Sequence, residues 1–375
     1  MSAELDRIEQ MIDSAESYAI MFGVSGGDVK SQLSAARNNY RLLLKAVHPD
    51  RVDMDARDKA TDLTAKLNKL YEEAQAAIQA GTLHVRRSNS SAVFSSAKYQ
   101  YRVTEKFTKY NDMAECFLAT AGSGTGELSG FVKVARTPAD NELLATEAEV
   151  LKKICDGSDA KREVFFPTLL DSFGMKIGTK RLRANTLANL DGFYNLEQVH
   201  ERYVNGVQDL DMAWMWRRVL WTLDYAHTKG VVHGAVLPQH VMLQPAQHGI
   251  VLVDWCYASP KRGKDHQPLK AVVGRQRAWY PKYVFDKQPA MPALDIAMGA
   301  RTMVYIAGGN PETGKMPAGV KPEFARYFAG ILAREGDAKL RVPEVAVEFD
   351  AVLERLRGPY FPRKFRPFDM GSSNK

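Results

Sequence analysis

The sequence predicts two fold classes in one chain, an all-α N-terminal domain followed by a larger α+β domain. Three observations carry this expectation. Apolar residues recur at helical spacing between about residues 5 and 80, and a serine-rich stretch interrupts them from Thr82 to Lys98. From Tyr99 onward, short alternating runs mix with helical segments. A length of 375 residues, 45% hydrophobic and 25% charged, is enough for two or three globular domains with cores of their own.

Cellular context follows from composition. The cysteines, Cys116, Cys155 and Cys256, lie far apart and match no zinc spacing, which predicts reduced thiols. The opening Met1-Ser2-Ala3-Glu4-Leu5-Asp6 is acidic and amphipathic, unlike a signal peptide, and no run approaches membrane-spanning length. A soluble cytoplasmic protein with no membrane association is therefore expected. The net charge of +7 permits an acidic partner.

In the N-terminal third, a helix from Val29 places Leu33, Ala36, Tyr40, Leu43, Leu44 and Val47 on one face. Lys30, Arg37, Arg41 and Lys45 fall on the other. His48-Pro49-Asp50 follows at once, with Pro49 as the helix stop. A second helix is expected from about Asp55 to Ala80, striped by Ala60, Leu63, Leu67, Leu70, Tyr71 and Ala74, with Gly81 closing it. Together they make an antiparallel hairpin with His-Pro-Asp in its loop and a basic first arm.

That hairpin resembles the J domain of DnaJ-type co-chaperones. The likeness is carried by Tyr18 to Val24, Tyr40-Arg41-Leu42-Leu43, His48-Pro49-Asp50 and Leu67-Asn68-Lys69-Leu70-Tyr71-Glu72, with Phe22 in place of a usual leucine. The resemblance implies docking on a DnaK-type chaperone and stimulation of its ATPase. Arg37, Arg41 and Lys45 would be the docking charges, and His48, Pro49 and Asp50 the trigger. This domain is assigned to residues 1–83, and a flexible Ser-rich linker to 84–98.

Beyond the linker, residues 128–135 alternate like a strand and carry Lys133, and a helix from Asn141 to Ile154 carries Glu147. Residues 164–173 and 182–190 suggest two further strands, the second running into a hinge near Asn189–Gly192. A tryptophan-rich helix over Met212–Lys229 leads into His233-Gly234-Ala235-Val236-Leu237-Pro238-Gln239-His240. An apolar strand then ends at Asp254, followed by Trp255-Cys256. Trp279-Tyr280-Pro281 and a buried helix beginning near Asp295 and Gly299 complete the series.

In that order these segments resemble a protein kinase over residues 99–360, which implies a bilobal α+β fold with an N-lobe at 99–192 and a C-lobe at 193–375. The resemblance implies that Lys133 and Glu147 bind nucleotide and that Asp254 holds a metal, with ATP and Mg2+ as cofactors. His233 would brace the loop by bonding near Asp254. The departures point the other way. Ala235 stands where the proton-accepting aspartate belongs, and His240 where a metal-ligating asparagine belongs. The phosphate-covering loop, expected near Asn111–Phe117, has no glycine, and Lys282 replaces the glutamate after Pro281. Gly122 to Gly126 is instead expected as a turn between strands.

The expected protein is a co-chaperone adaptor whose kinase-like half is a pseudokinase that selects or senses a client or regulatory protein. Two alternatives stay open: an active atypical kinase or nucleotidyl transferase using Lys133, Glu147 and Asp254, or a non-catalytic module regulated by ATP. The basic residues Lys261, Arg262, Lys264, Lys270, Arg275 and Arg277 could meet phosphate or an acidic partner, but a solvated loop is expected. No groove-reading motif supports nucleic acid as a partner.

Overall fold

A computed structural model describes residues 2–14, 18–24, 28–49, 52–79, 93–107, 113–123, 126–357 and 367–371. The chain divides into two compact units, Met1–Ser91 and Ala92–Lys375.

The first unit is helical: α1 (Ser2–Ser14), α2 (Tyr18–Met21), α3 (Val29–Val47) and α4 (Arg57–Gln79). Helix α3 starts where the Asp28 carboxylate accepts from the Ser31 N–H at 2.8 Å, an N-cap that satisfies one of the orphan donors. It stops at Val47 because Pro49 drives His48 out of helical geometry, to φ −67° and ψ 129°. The Thr64 hydroxyl of α4 donates to the freed Val47 carbonyl at 3.2 Å. Ala36 and Val47 are buried, with Leu33, Tyr40, Leu43 and Leu44 packed against the same core as Leu63, Leu67 and Leu70. Lys30, Arg37, Arg41 and Lys45 are exposed on the other side of α3, as helical periodicity requires. The second helix begins two residues later than expected, after a 3-10 turn at Met54–Ala56. Ala80, Gly81 and Asp50 lie outside the described residues.

The second unit opens with a sheet: β1 (Val93–Ser95), β2 (Gln100–Phe107), β3 (Ala114–Ser123) and β4 (Gly126–Ala135). Then come α5 (Asn141–Ile154), the short α6 (Ala160–Glu163), β5 (Leu169–Ile177) and β6 (Lys180–Ala188). These strands form a six-stranded antiparallel sheet in the order β1-β2-β3-β4-β6-β5. Next are β7 (Tyr194–Asn195), α7 (Leu196–Arg202), α8 (Asp209–Thr228), β8 (Val231–Val232), β9 (Val241–Gln244) and β10 (Gly249–Leu252). The series ends with β11 (Ser259–Arg262), β12 (Asp265–His266), α9 (Lys282–Phe285), α10 (Pro292–Ile306), α11 (Pro322–Leu332) and α12 (Val342–Arg357). Small sheets β10-β9-β7 and β12-β11-β8 sit within this mostly helical part. An N-terminal helical region is thus followed by an α+β unit.

Two expectations about element limits need correction. The linker does not extend to Lys98: Val93↔Arg102, Phe94↔Tyr101 and Ser95↔Gln100 pair as a hairpin, and Phe94 is buried against Phe117. Its turn is closed by the Ser96 hydroxyl, which accepts from the Lys98 and Tyr99 N–H groups at 3.1 and 3.0 Å. The run 164–173 is not one strand, because Pro167 lacks the N–H a ladder needs and the Phe166 N–H instead donates back to Glu163 at 3.1 Å. Phe166 is buried against Trp255 and Tyr225, and the strand begins at Leu169. In the β3–β4 hairpin Gly122 pairs with Glu127 and Ser123 with Gly126, and residues 124–125 lie outside the described residues. Of the loop expected near Asn111–Phe117, residues 114–117 are already strand and 111–112 lie outside the described residues.

Among the described residues no helix is long and apolar enough to cross a membrane. Cys116, Cys155 and Cys256 are all free thiols.

Candidate functional site

Strand alternation sends Val132 and Val134 into the apolar layer on one face of the sheet and Lys133 to the other, toward α5. Helix α5 buries Leu144, Glu147, Ala148, Leu151 and Ile154, so Glu147 lies in the middle of its packed stripe. Asn141 docks the start of α5 onto β6: its Oδ1 accepts from the Arg183 N–H at 2.7 Å, and its Nδ2 donates to the Arg181 carbonyl at 3.0 Å. Lys133 Nζ therefore reaches Glu147 Oε1 at 2.7 Å, the side chains being 6% and 0% exposed.

The same ammonium donates to Asp254 Oδ1 at 2.5 Å. Asp254 follows β10 and takes the left-handed conformation at φ 71°, a backbone state that costs a non-glycine residue energy and that aspartate tolerates better than most. Burial opposes the charge on Asp254, yet Lys133 and then His240 outweigh it and hold the carboxyl well below the usual range. Burial likewise works against the charge of Lys133, and Asp254 leads the interactions that raise it well above an ordinary lysine. The site is a closed set of ion pairs.

Sequence reasoning missed Asn185, and it named His240 without its contact to Asp254. Asn185 of β6, fully buried, donates through Nδ2 to Glu147 Oε2 at 2.9 Å and to the Leu144 carbonyl at 2.8 Å. Within the polar-rich run Lys180–Ala188 no local pattern marks Asn185 out. His240 Nε2 lies 2.9 Å from Asp254 Oδ2, while its Nδ1 donates to the Ala235 carbonyl at 2.8 Å. Only the fold brings His240 to Asp254.

The loop Val231–Val241 is buried throughout. Asp295 of α10 accepts from the His233 N–H at 2.7 Å, from the Gly234 N–H at 2.8 Å and from His227 Nε2 at 2.8 Å. Helix α10 can lie this close because Gly299 faces Trp216, whose ring atom would sit 2.9 Å from any Cβ there. His233 donates through Nε2 to the Val253 carbonyl at 2.9 Å and accepts the Ala235 N–H on Nδ1 at 3.1 Å. Burial, the largest influence, pushes its pKa down to about 4, in keeping with a neutral ring that ties the loop to the strand before Asp254. Ala235 is fully buried and offers no side-chain proton acceptor.

Glu147, Asp254 and Cys256 each place one ligand atom within 4.8 Å of the others. The Lys133 ammonium lies among them, at 2.7 Å from Glu147, 2.5 Å from Asp254 and 3.7 Å from Cys256. Burial and then Asp254 push the Cys256 thiol well above its ordinary range, so it is a neutral S–H donating to Asp254 Oδ1 at 3.0 Å. Mg2+ is a hard ion that takes oxygen ligands, and the remaining neighbour on Asp254 is an imidazole nitrogen. The residues present do not fit the metal expected at Asp254.

The basic segment after Pro260 is not simply solvated. Arg262 pairs with Glu149 at 3.1 Å, Lys270 with Glu142 at 2.8 Å and Arg275 with Glu197 at 2.8 Å. Arg277 stacks over Phe285, its guanidinium 4.1 Å from the ring centroid. Lys270 also donates to the Thr146 hydroxyl at 3.1 Å, so two cations of the segment hold the acidic side of α5.

In the helical unit, Phe22, Tyr40, Asn68 and Tyr71 converge. Tyr40 stacks on Tyr71 with centroids 4.1 Å apart and donates to Asn68 Oδ1 at 2.8 Å, and Phe22 meets Tyr71 edge-on. Arg37, Arg41 and Lys45 line the exposed side of α3, and His48 and Pro49 follow its last turn.

No protein-family model matches the chain. Among curated proteins it is similar to casein kinase II subunit alpha' of Saccharomyces cerevisiae, 38% identical over 45 residues. That segment is 12% of this chain and 13% of the length of the relative. The likeness is partial and kinase-like.

Proposed function

We propose that the second unit is a protein-kinase-like domain that binds a nucleotide at Lys133 and Glu147 without transferring phosphate, and that the first is a J domain acting on a DnaK-type chaperone. The observation that carries the proposal is the Lys133 ammonium held between Glu147 and Asp254, beside a loop whose Ala235 cannot accept a proton. The sheet order, the Asp295 brace on His233 and Gly234, and the partial likeness to a kinase subunit support the bilobal kinase-like reading. Loss of a general base removes about 10²–10⁴-fold in rate. A domain of this kind recognises a client or regulatory protein instead of modifying it.

Support for the J-domain half is the α3–α4 hairpin with a basic exposed face and His48-Pro49 after α3. An exposed row of Arg37, Arg41 and Lys45 suits an acidic docking surface. The test is stimulation of a DnaK-type ATPase by the full chain and by His48→Gln. Stimulation that disappears in the variant is expected, and equal stimulation by both proteins overturns this half. For the second unit, ATP should raise the melting temperature of the wild type but not of Lys133→Ala. Equal behaviour of the two proteins overturns the nucleotide site.

A further inference from the structure

We propose that the second unit binds its nucleoside polyphosphate without a divalent cation, with Lys133 and His240 standing where a metal would otherwise meet Asp254. The inference rests on the nucleotide reading above and goes beyond it by naming the form of the ligand.

Both oxygens of Asp254 are taken. Oδ1 accepts from Lys133 at 2.5 Å and from the Cys256 thiol at 3.0 Å, and Oδ2 faces His240 Nε2 at 2.9 Å. These are nitrogen and sulfur groups fixed by the fold. His240 is 6% exposed, anchored through Nδ1 on the Ala235 carbonyl at 2.8 Å, with the Tyr257 ring 5.9 Å away. The other carboxylate within reach, Glu147, spends one oxygen on Lys133 and the other on Asn185. A magnesium ion demands near-octahedral oxygen coordination and gives up its waters reluctantly. Entering here, it would have to break the Lys133 and His240 contacts on Asp254, and the Lys133 and Asn185 contacts on Glu147.

The same arrangement changes what a phosphate meets. A bare carboxylate repels a polyphosphate, which is one reason such sites recruit a metal between the two. In this site the carboxylate is already compensated by the Lys133 ammonium and covered on its other oxygen by His240. The exposed quarter of the Asp254 side chain therefore presents little uncompensated charge to a ligand. Lys133 can turn part of its donor capacity to the ligand, since an ammonium has three N–H donors.

Isothermal titration of the full chain with ATP, in EDTA and again in excess MgCl2, tests the proposal. The expected result is binding in both, with dissociation constants that agree within about threefold. Binding that needs Mg2+, or is tightened by it more than about tenfold, overturns the inference and leaves the nucleotide site standing. Absence of binding in both buffers removes the nucleotide site and the inference together. His240→Asn exchanges the imidazole for an amide oxygen and frees Asp254 Oδ2. It is expected to make ATP binding at least about tenfold tighter in Mg2+ than in EDTA. A variant that stays indifferent to the metal overturns the role given to His240. The wild-type arms need no variant to fold.

Discussion

Lys133 and Glu147 form an ion pair at 2.7 Å with almost no access to solvent. Asn185 completes it from the neighbouring strand, so sheet and helix α5 meet through three polar side chains in an apolar surrounding. A buried pair of this kind adds little over apolar packing, but removing one partner strands the other in a medium that cannot solvate it.

Lys133→Met should therefore be destabilising by about 3 kcal/mol, since it leaves Glu147 buried with only Asn185 as a partner. In a unit of this size that corresponds to a melting temperature lower by about 6–12 °C. Adding Glu147→Leu should recover most of the loss, because the uncompensated charge then goes as well. Thermal unfolding of the single and double variants checks this, and a double variant no more stable than Lys133→Met speaks against it.

Gly234 stands between His233 and Ala235 at φ 79°, where a Cβ would lie 2.7 Å from the Tyr257 carbonyl oxygen and 2.8 Å from Leu269 Cδ2. That explains why a side chain is absent from this place in the loop. Gly234→Ala combines a left-handed backbone with a clash against main chain and should cost about 2–4 kcal/mol. Gly263, at φ 71° with open space around it, is the control. Gly263→Ala carries the backbone strain alone and should cost about 1 kcal/mol.

His233 makes stability depend on pH. Burial depresses its pKa in the folded state to about 4 from 6.5, so below 6.5 the unfolded chain takes up a proton that the folded chain refuses. The contribution is fully present above pH 6.5 and is lost as pH falls through about 4. At its limit the loss is about 3 kcal/mol. His200 and His266 are also depressed, both chiefly by burial, and add to the same slope. Melting temperatures between pH 7 and 4.5 should fall more steeply for the wild type than for His233→Gln. Parallel curves would contradict the assignment.

Much of the architecture was legible in the sequence because it rests on periodicity. The stripe from Leu33 to Val47 and its partner from Ala60 to Ala74 foretold the α3–α4 hairpin, and Asn141–Ile154 matched α5 to the residue. The meeting of Lys133, Glu147 and Asp254 could be anticipated only through a resemblance. They lie 14 and 121 residues from Lys133, and no local pattern encodes such a contact. What stayed hidden has common physical causes. Val93–Ser95 is too short for alternation to register and becomes a strand only by pairing with Gln100–Arg102. The role of His240 depends on a left-handed turn at Asp254 that aims the carboxylate at it. The basic run after Pro260 looked like a solvated loop because its acidic partners, Glu142, Glu149 and Glu197, are distant in sequence.

Incubation of the full chain with ATP and Mg2+, followed by intact-mass measurement and assay of released ADP, tests most directly whether the second unit has lost catalysis. The predicted result is an unmodified mass and no ADP above the uncatalysed background. A phosphoryl or AMP adduct on the wild type that vanishes in Asp254→Ala would contradict it and make the unit an active transferase.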